Sequence, residues 1–251
     1  MKTSKVRPLA VLITLSLLLL GACQSRSISN VGGGYGREYQ GELNEMAVLG
    51  VRVDEEADEA SIAEALAQRA VEEPVLKSGD VVALIQSGAR FPDDEMLHPL
   101  QALCSVVPLS GVPPHAEARG NEYGRAKAEK SVRINKTLRL AAAKGGANKM
   151  LVYWGILESA SDPVEATKAL SWVPLAGRFV PDETQHLQMR LKAVVIDVAT
   201  GHWTLLRAEP VRSSRISSRL SREFSDLKQV LALKEKTYGQ FTDHLKTKYA
   251  L

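Results

Sequence analysis

The sequence has few residues that could crosslink the chain or bind a metal. It contains two cysteines among 251 residues, so at most one disulfide could form. The five histidines are scattered, and no His-Glu-x-x-His, Gly-x-Ser-x-Gly or P-loop pattern occurs. These absences argue against a disulfide-stapled scaffold, a zinc hydrolase and a nucleotide-binding enzyme. They leave open an active site built from Ser, His and Asp residues far apart in the chain.

Long apolar runs are also scarce. The one at Leu9–Leu20 is too short to cross a hydrocarbon core of about 30 Å as a helix. It follows a basic start and leads into Leu20-Gly21-Ala22-Cys23, as in an export signal. These four residues resemble the lipobox of bacterial lipoproteins. That resemblance implies that residues 1–22 are a signal peptide and that Cys23 becomes the first residue, carrying covalent lipid.

A lipid anchor would decide where the protein works. One acyl chain binds a membrane reversibly, whereas several hold it almost permanently. Gln24 stands where an aspartate would resemble the inner-membrane retention signal. We therefore expect an outer-membrane, periplasm-facing protein that contacts the membrane through its lipid.

The net charge of +3 gives no reason to expect nucleic-acid binding. Removal of the basic residues Lys2, Lys5 and Arg7 with the leader makes the mature chain neutral. The charges are nevertheless segregated: residues 41–95 hold fourteen acidic and four basic residues, and residues 212–251 hold nine basic and four acidic. These segments are either solvated helical faces or regions that attract each other or partners of opposite sign.

Residue patterns predict the order of elements along the chain. Residues 23–57 read as a lipidated N-terminus and flexible tether, residues 58–211 as an α/β domain, and residues 212–251 as a basic amphipathic helix. Within the domain we predict helices at 58–73, 93–103 and 123–145, and strands at 81–85, 105–109, 150–157, 187–198 and 203–211. The last two strands form a hairpin around Ala199-Thr200-Gly201.

Interleaved helices and strands predict an α/β (α+β) fold, with one mixed sheet covered by helices in two or three layers. A long helix over Arg215–Tyr249 carries an apolar stripe that Lys234 interrupts. We expect the stripe to pack on the domain's own sheet, with a partner helix or a self-dimer as the alternative. Cys104 lies among apolar residues and is expected to be a buried, inert thiol.

Two passages resemble a known periplasmic α/β domain. They are Gly146-Ala147-Asn148 with the strand after it, and Val194–Asp197 with Thr200-Gly201-His202-Trp203. The domain occurs in the curli-secretion lipoprotein, in lipoprotein activators of penicillin-binding proteins and in the N-terminal part of TolB. The resemblance covers about residues 81–211 and implies a non-enzymatic lipoprotein that docks on envelope machinery.

One apolar, proline-punctuated segment at 170–181 invites a functional interpretation, because exposed apolar patches often mark interfaces. The candidate interface residues are Trp172, Leu175, Arg178 and Phe179, together with Arg215, Arg219 and Arg222. We predict a binding or scaffold component of an envelope assembly that is not an enzyme, possesses no cofactor beyond its lipid, and is able to self-associate. The alternatives are glycan binding, with Trp154, Trp172 or Trp203 stacking on sugars, and a hydrolase with dispersed catalytic residues.

Overall fold

The computed structural model describes residues 24–30, 39, 41–51, 58–69, 74–113, 123–163, 183–217 and 222–251. Within these ranges the chain is an α/β fold of seven strands and five α-helices, as predicted. The strands are β1 Gln24–Ser27, β2 Val81–Gln86, β3 Ser105–Leu109, β4 Lys149–Pro163, β5 Glu183–Asp197, β6 Trp203–Arg207 and β7 Val211–Ser217. The helices are α1 Glu45–Val48, α2 Glu59–Arg69, α3 Asp94–Gln101, α4 Tyr123–Lys144 and α5 Arg222–Tyr249.

A long antiparallel pair, β4 and β5, organises the sheet. Each strand has 15 residues, and they pair from Lys149 opposite Asp197 to Pro163 opposite Glu183. We call the Pro163 and Glu183 end the distal end and the other the proximal end. The proximal section has the order β3-β2-β4-β5-β6, with β2 parallel to both neighbours. The distal section has the order β1-β4-β5-β7, all antiparallel.

Helices cover both faces of the proximal section, which gives three layers. β2 is a continuous apolar run because both of its faces are buried. One face packs against α3 and α5 through Met96, Leu100, Tyr238, Phe241 and Leu245. The opposite face packs against α1 and α4 through Val48, Ile134, Leu138 and Ala142.

The C-terminal helix begins later than predicted. Residues 211–217 form β7, which pairs with β5, and α5 begins at Arg222. Arg215 therefore lies on a strand, and its assignment to the helix was wrong. Pro210 separates β6 from β7; lacking an N–H, it cannot donate to a β-ladder. The single strand expected at 203–211 is accordingly two.

The first residues of the segment predicted to be a flexible tether are folded. Gln24–Ser27 pairs with β4, and the Ile28 side chain is fully buried in the core. Gly155 makes room for it, since a Cβ there would lie 2.5 Å from Ile28 Cδ1. Further along, Leu43 and Val48 are buried on the opposite face. The residues that immediately follow Cys23 are thus part of the folded domain.

Candidate functional site

Among the predicted lipidation and interface residues, the structure describes only Arg215 and Arg222. Cys23 and the lipobox lie outside the described residues, but β1 begins at Gln24, with its first residue towards this end. Segment 164–182, with Trp172, Leu175, Arg178 and Phe179, also lies outside them. Its flanking residues, Pro163 and Glu183, pair with each other at the distal end. Arg215 lies there on β7, Arg222 begins α5, and Arg219 is outside the described residues.

A row of polar side chains crosses one face of the distal section. Glu158 accepts hydrogen bonds from Gln188 Nε2 at 3.1 Å and from Arg190 Nε at 3.2 Å. Arg212 Nε donates to Gln188 Oε1 at 2.6 Å. These residues share a face because directly opposed residues of paired strands point the same way. The predictions from sequence missed this row, since it exists only once the register of the strands is known.

The same face brings a serine, a histidine and an aspartate into line. The His186 Nδ1 and Ser214 Oγ atoms are 2.8 Å apart, and His186 Nε2 lies 3.3 Å from Asp162 Oδ2. His186 and Ser214 line a cavity of about 420 Å³. The ring is reversed relative to the usual triad, in which Nε2 faces the serine. The Asp162 side chain is 76% exposed, so water screens its interaction with the histidine.

A second polar cluster is buried between β2, β4 and α5. Asp93 Oδ2 accepts from Lys234 Nζ at 2.8 Å and from Tyr238 Oη at 2.7 Å. Gln86 Oε1 accepts from the Asp93 backbone N–H and from Tyr153 Oη, both at 2.7 Å. The Lys234 side chain is only 5% exposed, so it does not interrupt the apolar stripe of α5 as expected. Its charge is satisfied inside the core by Asp93.

The two tyrosines of this cluster stay protonated. Burial, together with the nearby charge of Asp93, raises the pKa of Tyr153 well above its usual value of 10.0. Burial also raises the pKa of Tyr238, and the proximity of Tyr153 and the charge of Asp93 add to the effect. Neutral hydroxyls can donate to Gln86 and Asp93 over the whole physiological pH range. Because the cluster is closed to solvent, its role is to join β2, β4 and α5.

The two passages that carry the family resemblance have structural roles here. Asn148 Oδ1 accepts from the Val81 N–H at 3.0 Å, and its Nδ2 donates to Asp80 Oδ1 at 2.7 Å. These bonds fix where β2 and β4 begin. At the β5–β6 turn, Asp197 Oδ1 accepts from the N–H groups of Ala199 and Thr200. Each polar side chain therefore terminates or aligns a strand.

The structure favours an inert Cys104. The thiol donates to Leu100 O at 3.6 Å. Burial, reinforced by the Asp80 charge, raises the pKa of Cys104 to about 11. The reactive thiolate is thus scarce at neutral pH.

Exposed apolar side chains occur on two helices. Ile62 and Leu66 on α2 are 44% and 63% exposed, and Leu227 and Leu231 on α5 are 37% and 42% exposed. Each pair is spaced i, i+4, so it forms one patch on its helix. Leu227 and Leu231 were expected to pack on the sheet with the rest of the stripe. That expectation was wrong for these two residues, since Val230 and Leu233 are buried instead.

The tryptophans proposed to stack on sugars differ in exposure. Trp154 is buried and donates through Nε1 to Leu43 O at 3.0 Å, so it cannot present a face to a glycan. Trp203 is 41% exposed, and Trp172 lies outside the described residues. In the part of the chain that the structure describes, no three His, Cys, Asp or Glu side chains are placed to hold a metal ion. None of the described helices is long and apolar enough to cross a membrane.

Comparison with known proteins shows the family. Among solved structures, the chain is similar to a dodecameric PelC variant from Paraburkholderia phytofirmans, at 15% identity and a TM-score of 0.28, covering 68% of this chain and 94% of that one. It is also similar to the hypothetical protein CT253 from Chlamydia trachomatis, at 11% identity and a TM-score of 0.23, with the same coverage. Both TM-scores are too low to support an argument about function. No protein of curated function matches the chain. The model of the YafT bacterial lipoprotein family matches residues 44–248, and the chain therefore belongs to the YafT family of bacterial lipoproteins.

Proposed function

We propose that this lipoprotein is held in the outer membrane by lipid on Cys23 and acts as a periplasm-facing binding or scaffold component of an envelope assembly. Membership of a lipoprotein family supports the anchor. The lipobox assigns the lipid to Cys23, and Gln24 favours the outer membrane over the inner. The resemblance of residues 81–211 to envelope-docking lipoproteins stays a prediction.

The observation that carries the binding role is the pair of exposed apolar patches on α2 and α5. Ile62, Leu66, Leu227 and Leu231 are large side chains left substantially in water. Interface cores use such side chains because burying them in a partner is favourable. At helical spacing, Glu59 borders the α2 patch, whereas Lys228 and Glu235 both border the α5 patch. A partner with basic groups at its rim would therefore suit the α2 patch, and the charges beside the α5 patch balance.

Crosslinking in whole cells tests this role. The tagged chain is crosslinked, captured and compared with two paired variants, Ile62→Ser/Leu66→Ser and Leu227→Ser/Leu231→Ser. We expect little change in melting temperature, because these side chains are exposed, together with loss of a specific crosslinked species from at least one variant. Trp172→Ala tests the apolar segment in the same way. Unchanged crosslinks in every variant would reject the binding role, and density-gradient separation of the two membranes tests the location.

A second candidate function is hydrolysis, favoured by the alignment of Ser214, His186 and Asp162 beside a cavity. Such an arrangement can activate a serine for acyl transfer. A fluorophosphonate probe would then label the protein, and Ser214→Ala would abolish labelling while Ser213→Ala, at the neighbouring serine, would not. Absence of labelling in the intact lipoprotein would reject this function. Glycan binding through Trp203 is tested with purified sacculi and Trp203→Ala.

A further inference from the structure

We propose that the distal end of the sheet docks directly on the anionic headgroups of the membrane that holds the lipid anchor. The inference rests on the proposed lipid at Cys23 and adds an orientation for the domain. No linker residues separate the proposed lipid anchor from the fold, because Cys23 is followed directly by Gln24, which pairs with Ser159 of β4. Adjacent Cα atoms are about 3.8 Å apart. The domain therefore cannot leave the membrane surface unless β1 unpairs.

Strand direction decides which end faces the membrane. β1 is antiparallel to β4, so its first residue points towards Pro163. β4 continues beyond Ser159 for the four residues to Pro163, which is about 13 Å at the rise of a β-strand. The distal end of β4 and β5 therefore reaches the headgroup layer, whereas the proximal end projects into the periplasm.

The charges at this end suit phosphate groups. Arg212 and Arg215 are exposed and, being three residues apart on β7, lie on opposite faces of the sheet. Two acidic neighbours are already engaged, Glu158 with Arg190 and Asp162 with His186. Among the described residues, neither Arg212 nor Arg215 has a carboxylate partner, and Arg212 donates to the neutral Gln188 amide. Guanidinium groups bind phosphate oxygens in a bidentate manner, and basic residues at a surface are attracted to anionic lipids.

The test uses the full lipidated chain in vesicles of phosphatidylcholine, with and without phosphatidylglycerol. A fluorophore is placed at Thr184→Cys, near the distal end, or at Ala199→Cys, at the proximal turn, in a Cys104→Ser background. Nitroxide-headgroup lipid quenches a fluorophore that lies against the bilayer. We expect strong quenching at position 184, little at position 199, and a larger difference with phosphatidylglycerol. Arg212→Glu/Arg215→Glu should lower quenching at position 184 measurably, although it should stay above the level at position 199 because the anchor still holds the distal end near the surface.

A matched control is Lys136→Glu/Lys144→Glu, which changes the net charge equally at exposed positions of α4 and should leave quenching unchanged. Equal quenching at the two positions, or quenching at 184 that the arginine reversal does not alter, would overturn the proposed docking. Flotation of the chain with the vesicles reports the anchor separately. A chain that does not float lacks the anchor, and both proposals then fail. A chain that floats without the quenching difference keeps its anchor and refutes only this inference.

Discussion

Replacement of Lys234 by methionine should destabilise the domain far more than loss of a lysine usually does. The Lys234 and Asp93 side chains are 5% and 9% exposed, so the substitution leaves a carboxylate buried without its counter-charge. Hydrogen bonds from Tyr238 and Gln86 remain but bring no positive charge. Removal of one partner from a buried ion pair costs about 3–5 kcal/mol, a large part of the roughly 5–15 kcal/mol that stabilises a typical domain.

Urea unfolding followed by circular dichroism measures this cost. For a domain of this size, it corresponds to a fall in melting temperature of roughly 10 °C. Lys236→Met is the matched control, since Lys236 is exposed on the same helix and its loss should change stability by less than about 0.5 kcal/mol.

The double variant Asp93→Asn/Lys234→Met separates the charge effect from packing. It removes both charges, so we expect it to recover most of the stability lost in Lys234→Met. The reasoning would be refuted if Lys234→Met cost less than about 1 kcal/mol, or if the double variant were less stable than the single one.

Three further substitutions test individual contacts. Gly155→Ala should lower the free energy of unfolding by about 1–3 kcal/mol, because the new Cβ would lie 2.5 Å from Ile28 Cδ1. A double-mutant cycle with Ile28→Ala should show energetic coupling between the two sites, and additive effects would contradict the contact. Gly111→Ala should cost about 3 kcal/mol or more, since its Cβ would lie 1.9 Å from the Gln86 carbonyl oxygen, and a near-normal melting temperature would refute this. Partial burial opposes ionisation of Asp197, but hydrogen bonds from Lys149 and Thr200 prevail and lower its pKa from 3.8 to about 2. Because the pKa of Asp197 is lower in the folded than in the unfolded protein, its ionised form stabilises the fold above about pH 4, and this stabilisation is lost as the pH falls towards 2. Asp197→Asn should therefore lower the free energy of unfolding by about 1 kcal/mol at pH 7, after allowance for solvent screening, and by almost nothing at pH 2. A loss of stability that does not depend on pH would refute this prediction.

Most of the central elements could be predicted because local patterns determine them. β2 is a short apolar run, and the turn around Thr200-Gly201 lies between two apolar segments. The helices at 59–69, 94–101 and 123–144 were predicted from periodicity and caps. In these segments propensity and burial favour the same structure.

The distal section could not be predicted because its strands depend on pairing. Gln24–Ser27 and Val211–Ser217 are polar segments that resemble a tether and a helix start. They form strands because β4 and β5 extend beyond the proximal section, so that Gln24–Ser27 can pair with β4 and Val211–Ser217 with β5. For the same reason, the contact between His186 and Ser214 has no signature in the sequence.

Lys234 shows a second limit of prediction from the sequence. A lysine in an apolar stripe usually marks the end of a buried face. Here its partner, Asp93, is distant in sequence, and only the packing of α5 on β2 brings the two together. The apolar neighbours of Lys234 could have suggested a buried charge but could not identify its partner.

The pairing of β1 with β4 also sets an order of events during biogenesis. Gln24 is synthesised long before Ser159, so pairing the two carries the entropic cost of closing a long loop. The antiparallel neighbours β4, β5, β6 and β7 are close in sequence and can assemble sooner. Under the proposed function, the leader is cleaved before Cys23 and that cysteine is acylated, and a β1 strand already paired with β4 at the next residue would restrict access to it. We therefore expect lipid attachment to come before β1 docks, and the docked strand then to close the maturation site behind it.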